Sequence, residues 1–189
     1  MAEVYITSDS HYAHSNCCRG ISTWKSGFRD FDTLEQMNNA IVDNINDRVS
    51  ENDTLYHLGD WSFGGVENVE IFRKRIICKN IHLIYGNHDE NIMKDTGLQS
   101  LFSSTDHVFT GYIGKTFFHL SHYAHRVWPK SHKGSIHLYG HSHGSIPDFS
   151  KSMDVGVDCH PEFRPFHINE VIQKMSKIEI VKVDHHGDL

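Results

Sequence analysis

The first half of the chain alternates short apolar segments with longer amphipathic ones. Short segments rich in apolar and β-branched residues predict buried strands at residues 4–7, 54–58 and 81–85. A helix between the first two is predicted by apolar residues that recur every three or four positions: Leu34, Met37, Ile41 and Ile45. Asp32, with Glu35 three residues later, resembles a helix cap, and residues 67–77 can form a second helix. This order of elements predicts a largely parallel sheet with right-handed crossovers.

The second half has the pattern of another sheet. Strand-like segments at 108–112 and 116–120 flank residues 113–115 and predict a hairpin. Further strands are predicted at residues 135–139, 153–157 and 178–183, and a late helix at residues 168–175. Because the chain contains no linker, repeat or low-complexity block, we expect one α/β domain over residues 1–189. Its expected architecture is a sandwich of two sheets, packed face to face and flanked by helices.

Composition and charge narrow the class of protein. The 189 residues are 38% hydrophobic and 22% charged, as in globular domains, and no apolar run is long enough to span a membrane. The chain enters a strand directly and its four cysteines form no CxxC pair, so we expect no signal peptide and a reduced, cytoplasmic location. The net charge is −6 without a basic block, which argues against long duplex nucleic acid as a partner.

Polar motifs follow five of the predicted strands, at the point where each strand ends. They are Ser8-Asp9-Ser10-His11, Gly59-Asp60, Gly86-Asn87-His88-Asp89, Ser121-His122-Tyr123 and Gly140-His141-Ser142-His143-Gly144. Ligands of α/β sheets gather beyond the carboxyl ends of the strands, so we expect these motifs to converge. A loop that is anchored by a buried strand also holds its side chains in fixed positions.

The converging side chains are typical of a metal centre. They comprise three Asp, one Asn and five His, in a chain with 17 histidines. Carboxylate, imidazole and amide donors without thiolate favour Mn, Fe or Zn, with Ni and Co as further candidates. Asp9 and His11 are spaced so that both can reach one ion, and His141 and His143 can serve adjacent ions. More ligands than one ion needs indicates a two-metal centre that acts on phosphoryl groups or amides.

The motifs together resemble those of the calcineurin-like metallophosphoesterases. DxH, GD, GNHD, a single His after a strand and GHxH occur in that family's order and near its spacings over residues 8–143. The later segments 153–158 and 163–165 are similar to the small bacterial and phage members. The group of motifs is highly specific, whereas GD alone would indicate little.

The resemblance implies a role for each motif residue. The first metal would be bound by Asp9, His11 and His143, the second by Asn87, His122 and His141, and Asp60 would bridge both. A hydroxide between two divalent ions, most favourably Mn²⁺, would attack phosphorus in line with the leaving group. His88 would contact the phosphate or protonate the leaving oxygen, and Asp89 would orient His88 or its loop. Two carboxylates, two divalent cations and a hydroxide sum to about +1, which attracts a phosphate anion.

Residues next to the motifs are candidates for contacts with the substrate. They are His14, Asn16, Arg19, Tyr123 and Arg126. Arg19 or Arg126 could clamp a phosphate. Trp61 and Phe63, which follow Asp60, could stack on a nucleobase or form wall and core. Isolated histidines within the strands are expected to be packed or hydrogen-bonded rather than ligands: His57, His82, His107, His119 and His137.

Three functions are compatible with this pattern. A phosphodiesterase acting on small or nucleotide-type substrates is favoured, because small members of the family without a capping domain often act on diesters. A phosphomonoesterase is the alternative. A metal-binding scaffold without turnover is disfavoured because His88 and the ligand positions are all present. We expect a small phosphoester as partner and no membrane association, while the pattern does not specify an oligomeric state.

Overall fold

The computed structural model describes residues 2–23 and 29–186, which form two β-sheets flanked by helices. The first sheet consists of β1 (Val4–Thr7), β2 (Thr54–His57), β3 (Asn80–Ile84), β4 (Ser104–Asp106) and β9 (Phe166–His167). The second sheet consists of β5 (Val108–Ile113), β6 (Thr116–Ser121), β7 (Ile136–Tyr139) and β8 (Ser152–Asp154). The helices are α1 (Leu34–Arg48), α2 (Val66–Arg75), α3 (Glu90–Lys94), α4 (Thr96–Gln99) and α5 (Ile168–Ser176). The predicted two-sheet α/β fold is confirmed.

The first sheet is covered on both faces. Its strands β1 to β4 are parallel, and successive residues point to opposite sides. Tyr5 and Leu55 belong to a core cluster that includes the apolar residues of α1 and α2. Ile6 and Leu58 belong to a second cluster, which lies between the sheets and includes Phe118 of β6. None of the helices among the described residues has both the length and the apolar character to cross a membrane.

The second sheet contains the predicted hairpin. β5 and β6 pair antiparallel, and Gly114 in the turn has a φ of 59°, a left-handed conformation that glycine adopts without strain. β6, β7 and β8 then pair in parallel. The carboxyl ends of β6 and β7 therefore lie at the same end of this sheet, as those of β1, β2 and β3 do in the first sheet.

The cap of α1 differs from the predicted one by one residue. Asp32 and Glu35 were expected to cap the helix, but Thr33 is the N-cap residue. Its hydroxyl accepts the Gln36 N–H at 3.2 Å, and the Gln36 side chain accepts the Thr33 N–H at 3.1 Å. This reciprocal pair satisfies two N–H groups at the helix start.

The predicted strand at residues 178–183 is wrong, since the described chain there has no strand. Its apolar side chains remain about 40% exposed, for example Ile180 at 39% and Val181 at 43%. A β-rich pattern sets only a local preference, which the rest of the fold can override. Here the N–H of Val181 donates to the hydroxyl of Ser150 at 3.0 Å rather than to a strand. The short strand β9 pairs with β1 through Phe166 and His167. Neither β9 nor β4 was predicted, because segments of two and three residues carry almost no pattern.

Four of the five isolated histidines, His57, His82, His119 and His137, lie in strands and are hydrogen-bonded, as predicted, whereas His107 lies between β4 and β5 and is exposed. His57 hydrogen-bonds the Ser10 hydroxyl at 2.7 Å, and His82 hydrogen-bonds Ser104 at 2.8 Å. His137 Nδ1 donates to the carbonyl of His119 at 3.0 Å, and His137 Nε2 accepts the backbone N–H of His125 at 2.9 Å. These two bonds hold the imidazole of His137 in its neutral form, and burial lowers its pKa to about 3.

Protein stability is expected to depend on the protonation of His137. Because its folded pKa lies below the value of about 6.5 in an unfolded chain, only the unfolded state takes up a proton between these values. The free energy of unfolding should therefore fall as the pH decreases from about 6.5. His137→Asn should make this dependence shallower by up to about 1.4 kcal/mol per pH unit. Urea denaturation of the metal-free protein across this range measures the slope. His107→Asn, at an exposed histidine, is the control, and equal slopes in both variants would contradict the prediction.

Candidate metal centre

The five motifs meet where the carboxyl ends of the two sheets adjoin. Backbone hydrogen bonds join their loops directly: Asp9 N–H donates to Gly59 O at 2.9 Å and His11 N–H to Asp60 O at 3.0 Å. In the second sheet, Gly140 N–H donates to His122 O at 2.9 Å. Contacts between the two sheets bring together residues that are more than 100 positions apart in the sequence, since the N–H of His141 lies 3.0 Å from the carboxylate of Asp9.

The candidate ligands form two groups. One ligand atom from each of Asp9, His11 and His143 lies within 4.8 Å of the others, and the same holds for Asp60, His122 and His141. Asp60 lies between the groups, with its Oδ2 3.4 Å from His11 Nε2 and 3.5 Å from His122 Nε2. Asn87 Oδ1 is 3.1 Å from His122 Nε2. All seven predicted ligands are therefore brought together around Asp60.

These side chains border an open cavity of about 250 Å³. Its lining residues are His11, His14, Cys17, Asp60, Phe63, Asn87, His88, His141 and His143. Asp60 is a buried carboxylate in this lining, whereas His88, His141 and Asn87 are exposed to solvent. The site can therefore admit a molecule from solvent to buried charged groups.

Many of the candidate ligands have a strained backbone. Among the described residues, nine other than glycine have a positive φ, and five of them are Asp9, His11, Asp60, His141 and His143. Left-handed conformations cost of order 1–2 kcal/mol for residues with a Cβ and are concentrated at functional sites. These strained backbone conformations direct the candidate ligand side chains to one point.

Two glycines of the motifs are required by close packing. A Cβ on Gly86 would lie 2.2 Å from Asp60 Oδ1, and one on Gly140 would lie 2.4 Å from Asp9 Oδ2. Real Cβ atoms do not approach so closely, so any larger residue would displace a candidate metal-binding carboxylate. The GNHD and GHxH motifs therefore begin with glycine for a steric reason.

Backbone N–H groups hold the buried carboxylates. Both oxygens of Asp9 lie 3.0 Å from the N–H of His141, and Asp60 Oδ1 accepts the N–H of His88 at 2.9 Å. Asp89 accepts the N–H groups of Gly86, Asp60 and Trp61 at 2.7–2.9 Å. Asp89 therefore ties its own loop to the loop of Asp60.

Hydrogen bonds also orient two of the imidazole rings. His122 Nδ1 donates to Leu58 O at 2.8 Å, which directs Nε2 towards Asp60. His143 Nδ1 donates to Asp158 Oδ2 at 2.7 Å. Such bonds fix the tautomer and the direction of metal-binding histidines.

Asp158 is held in turn by a buried arginine that the sequence analysis missed. Arg29 Nε donates to Asp158 Oδ1 at 2.8 Å and Nη2 to Oδ2 at 2.9 Å. Arg29 also donates to the backbone carbonyls of Asp9 and Ser10. One guanidinium therefore links the loop of the first motif to the partner of His143. No local signal marks Arg29, because its ion pair spans 129 positions of the sequence.

The electrostatics of the site favour bound positive charge. Burial alone would lower the pKa of His122, but neighbouring Asp60 outweighs it and raises the pKa to about 9. Burial raises the pKa of Asp9 to about 7. Burial would also raise the pKa of Asp60, yet His122 and His11 hold it below its usual range. A divalent cation can replace the protons that such groups share.

The residues present fit divalent cations. His122 Nδ1–H is engaged by Leu58, so Nε2 is the atom that faces the carboxylate of Asp60 at 3.5 Å, and it carries a hydrogen only in the charged form of the ring. Two electron-rich atoms at this distance need a proton or a cation between them. The nitrogen and oxygen donors also match the preference of Mn, Fe and Zn.

The predicted substrate contacts are only partly brought to this cavity. His14 lines it and stacks on Phe63, with ring centroids 4.2 Å apart. Tyr123 lies next to His141, with ring centroids 4.6 Å apart, and its hydroxyl donates to Asn87 Oδ1 at 3.4 Å. Trp61 is fully buried in the core beneath.

Three predicted contacts lie outside the described lining of this cavity: Asn16, Arg19 and Arg126. Arg19 forms ion pairs with acidic residues at positions 30 and 32. Arg126 lies 3.8 Å over the ring of Phe149 and lines a separate pocket. Cys17 also lies in the cavity wall, with its Sγ 3.3 Å from His14 Nδ1.

The chain is similar to other proteins in sequence and in fold. The chain is 24% identical to the uncharacterized protein MJ1445 of Methanocaldococcus jannaschii over 96% of both chains. Its fold is similar to that of AQ665, a protein of unknown function from Aquifex aeolicus, with a TM-score of 0.66, 18% identity and coverage of 92% of this chain and 100% of AQ665. A solved archaeal phosphodiesterase gives a TM-score of 0.47 at 19% identity, with 82% of each chain covered.

The family is identified by a model that covers most of the chain. The model of the calcineurin-like phosphoesterases matches residues 2–151, a range that contains all five motifs. Since the match extends over more than half of the 189 residues, this chain belongs to the calcineurin-like phosphoesterase family.

Proposed function

We propose that the protein is a phosphoester hydrolase with two divalent metal ions, most favourably Mn²⁺, and that it prefers phosphodiesters. The observation that carries this proposal is the position of Asp60, whose carboxylate lies 3.4 Å from an imidazole of one donor group and 3.5 Å from an imidazole of the other. One group would hold its ion with Asp9, His11 and His143, and the other with Asn87, His122 and His141. Membership of a phosphoesterase family supports the same reaction class.

The ions supply Lewis acidity and a water that ionises near neutral pH. The protein's own residues hold the ligands in place and keep the floor of the site dry. Asp9 and Asp60 are at most 2% exposed, so their charges act at low dielectric and attract cations strongly. His88 lies in the exposed wall of the cavity, where its imidazole can donate a proton to the leaving oxygen. Asp89 acts through the backbone, because it fixes the loop that carries His88.

The preference for diesters is supported by the open walls of the site. A centre with charge about +1 would attract a dianionic monoester more strongly than a monoanionic diester. A diester can offset this difference with contacts to its second ester group. His14, Phe63 and Tyr123 are beside the ligands and can provide such contacts. Contacts remote from the reacting phosphorus can raise turnover as well as affinity.

Asp60→Asn is expected to be the most damaging ligand substitution, since it weakens both ions at once. Elemental analysis of the purified protein should show two ions per chain in the wild type and a loss of both in the variant. Chelation should abolish hydrolysis, and Mn²⁺ should restore it. Asp43→Asn, at an exposed carboxylate of α1, is the control. One tightly held Zn²⁺ with no second ion would contradict the dinuclear proposal.

His88→Ala should retain both ions and lose turnover by roughly 10²–10⁴-fold, the range of a general acid. The loss should be smaller for substrates with good leaving groups, because these need little protonation. Turnover and metal content of the same preparation provide the measurement. If the variant loses metal, His88 is a ligand and not the acid.

Asp158→Asn should weaken the ion bound by His143 by about 10–100-fold, the usual effect of removing the partner of a metal-binding histidine. The ion on the His122 side should be affected less, since Leu58 orients that ring. Competition titrations with a chromophoric chelator resolve the two affinities. Equal losses at both ions, or none, would show that Asp158 does not act through His143.

The substrate preference is tested with a matched pair of chromogenic esters. We expect a higher kcat/KM for bis(p-nitrophenyl) phosphate than for p-nitrophenyl phosphate with the same metal, and higher values still for short or cyclic nucleotides. Long duplex DNA should be a poor substrate because the chain is acidic. Faster cleavage of the monoester, without a gain from a nucleoside group, would favour the phosphomonoesterase alternative.

A further inference from the structure

A thiol lies in the wall of the cavity at the candidate metal centre. Cys17 lines this cavity together with His11 and His14, and its Sγ lies 3.3 Å from His14 Nδ1. One ligand atom from each of these three side chains lies within 4.8 Å of the others, and all three residues are buried. We call this group the thiol cluster. It shares His11 with the seven expected ligands of the two-metal centre, whereas His14 and Cys17 are additional.

Two consecutive backbone turns bring the thiol cluster together. His14 N–H donates to His11 O at 3.0 Å, and Cys17 N–H donates to His14 O at 3.1 Å. The second turn is a short 3-10 helix over Ser15–Cys17, with His14 as its N-cap residue. Side chains three positions apart eclipse each other in such a helix, which accounts for the contact between Cys17 and His14. The first turn brings the rings of His11 and His14 to a centroid separation of 5.3 Å.

The next cysteine in the chain has a different environment. Cys18 is fully buried, its Sγ donates to Phe31 O at 3.0 Å, and it lies outside the described lining of the cavity. Of the two adjacent cysteines, Cys17 is the one that belongs to a potential metal-binding group among the described residues. The pair therefore provides a thiol at the cavity and a matched thiol away from it.

The donor atoms of the thiol cluster favour a different metal from those of the two-metal centre. The cluster offers one thiolate and two imidazoles, and thiolate ligands select thiophilic ions such as Zn²⁺, whereas Mn²⁺ prefers oxygen donors. Three protein ligands suffice for Zn²⁺, with water in the fourth position of the tetrahedron. Ligand atoms around such an ion lie about 3.4–3.7 Å apart. The 3.3 Å between Cys17 Sγ and His14 Nδ1 is close to this separation.

Nearby charges favour a cation at the thiol cluster. His11 Nε2 lies 3.4 Å from Asp60 Oδ2 and 3.9 Å from Asp9 Oδ1, and both carboxylates are buried. Their negative charge acts through a medium of low dielectric and so reaches the cluster. The guanidinium of Arg29 opposes this attraction, but it is paired with the carboxylate of Asp158.

We infer that the thiol cluster binds one Zn²⁺ through Cys17, His14 and His11, and that this ion competes with the first ion of the two-metal centre. The Zn–S bond replaces the S–H bond, and the proton is released to solvent. Because the two sites share His11 and two dications at this separation repel each other, occupation of one site weakens the other. The cluster is therefore an inhibitory zinc site. The competition rests on the proposed function, whereas zinc binding by the cluster does not.

Zinc binding is tested with Cd²⁺, a thiophilic ion whose bond to a thiolate produces an ultraviolet charge-transfer band. Titration of the metal-free protein, kept reduced by a phosphine, should give a band with the intensity of one thiolate per chain. Cys17→Ser should abolish the band, and Cys18→Ser, the matched control, should retain it. His14→Asn should weaken Cd²⁺ binding about tenfold or more, because even the loss of a ligand's outer partner costs about 10–100-fold. His107→Asn, at an exposed histidine, should leave the affinity unchanged.

The competition is tested on the protein loaded with Mn²⁺. Electron paramagnetic resonance of free Mn²⁺ measures how much Cd²⁺ is needed to release the first Mn²⁺ from each chain. In Cys17→Ser this concentration should be about fivefold higher or more than in the wild type, since allosteric and competitive couplings of this kind reach at least that factor. In Cys18→Ser it should equal that of the wild type.

Each outcome supports or overturns the inference. A band that survives Cys17→Ser, or that disappears equally in Cys18→Ser, overturns the thiol cluster. An affinity that His14→Asn leaves unchanged shows that Cys17 binds the ion alone, and it overturns the cluster as well. Release of Mn²⁺ at the same Cd²⁺ concentration in the wild type and Cys17→Ser overturns the competition. A failure of the proposed function would appear separately, as no bound Mn²⁺ and no hydrolysis of bis(p-nitrophenyl) phosphate by the wild type.

Discussion

Two carboxylates, Asp9 and Asp60, are buried at the ends of adjacent parallel strands, and the rest of the site follows from the need to stabilise their charge. An ionised carboxylate that is removed from water needs hydrogen bonds and a cation. The backbone N–H groups of His141 and His88 provide the hydrogen bonds to these carboxylates. The loops adopt left-handed conformations, which place the imidazoles beside the carboxylates. The glycines at positions 86 and 140 leave the space that these carboxylates occupy.

The fold and the convergence of the five motifs were largely predictable, for a physical reason. Buried parallel strands have a strong apolar pattern in the sequence, and a motif that directly follows a strand is positioned by that strand. The pairing of β1, β2 and β3, and of β6 with β7, then brings together the motifs of each sheet. The hairpin of β5 and β6 was predictable for the same reason, since pattern and turn residues lie in one continuous segment.

The parts that could not be predicted depend on contacts between distant segments. Residues 178–183 have the composition of a strand, yet they form none, and the N–H of Val181 bonds to the side chain of Ser150. Arg19 follows the first motif closely, but nearby acidic residues pair with it away from the cavity. Arg29, in contrast, was not predicted at the site. Its buried position in the structure shows that it links the first motif to Asp158. Sequence proximity to a motif was therefore a weaker guide than attachment to a strand end.

The contact between Arg29 and Asp158 also bears on the order in which the chain is made. The ribosome delivers residues from the amino end, and domains begin to fold as they emerge. Asp9, His11 and Asp60 are released early, whereas Asp158, which holds both Arg29 and His143, lies beyond residue 151, where the family match ends. β9, which covers the edge of β1, is made later still. The nascent chain therefore carries Asp9 and Asp60 well before His141, which hydrogen-bonds Asp9, and Asp158, which orients His143, have been made.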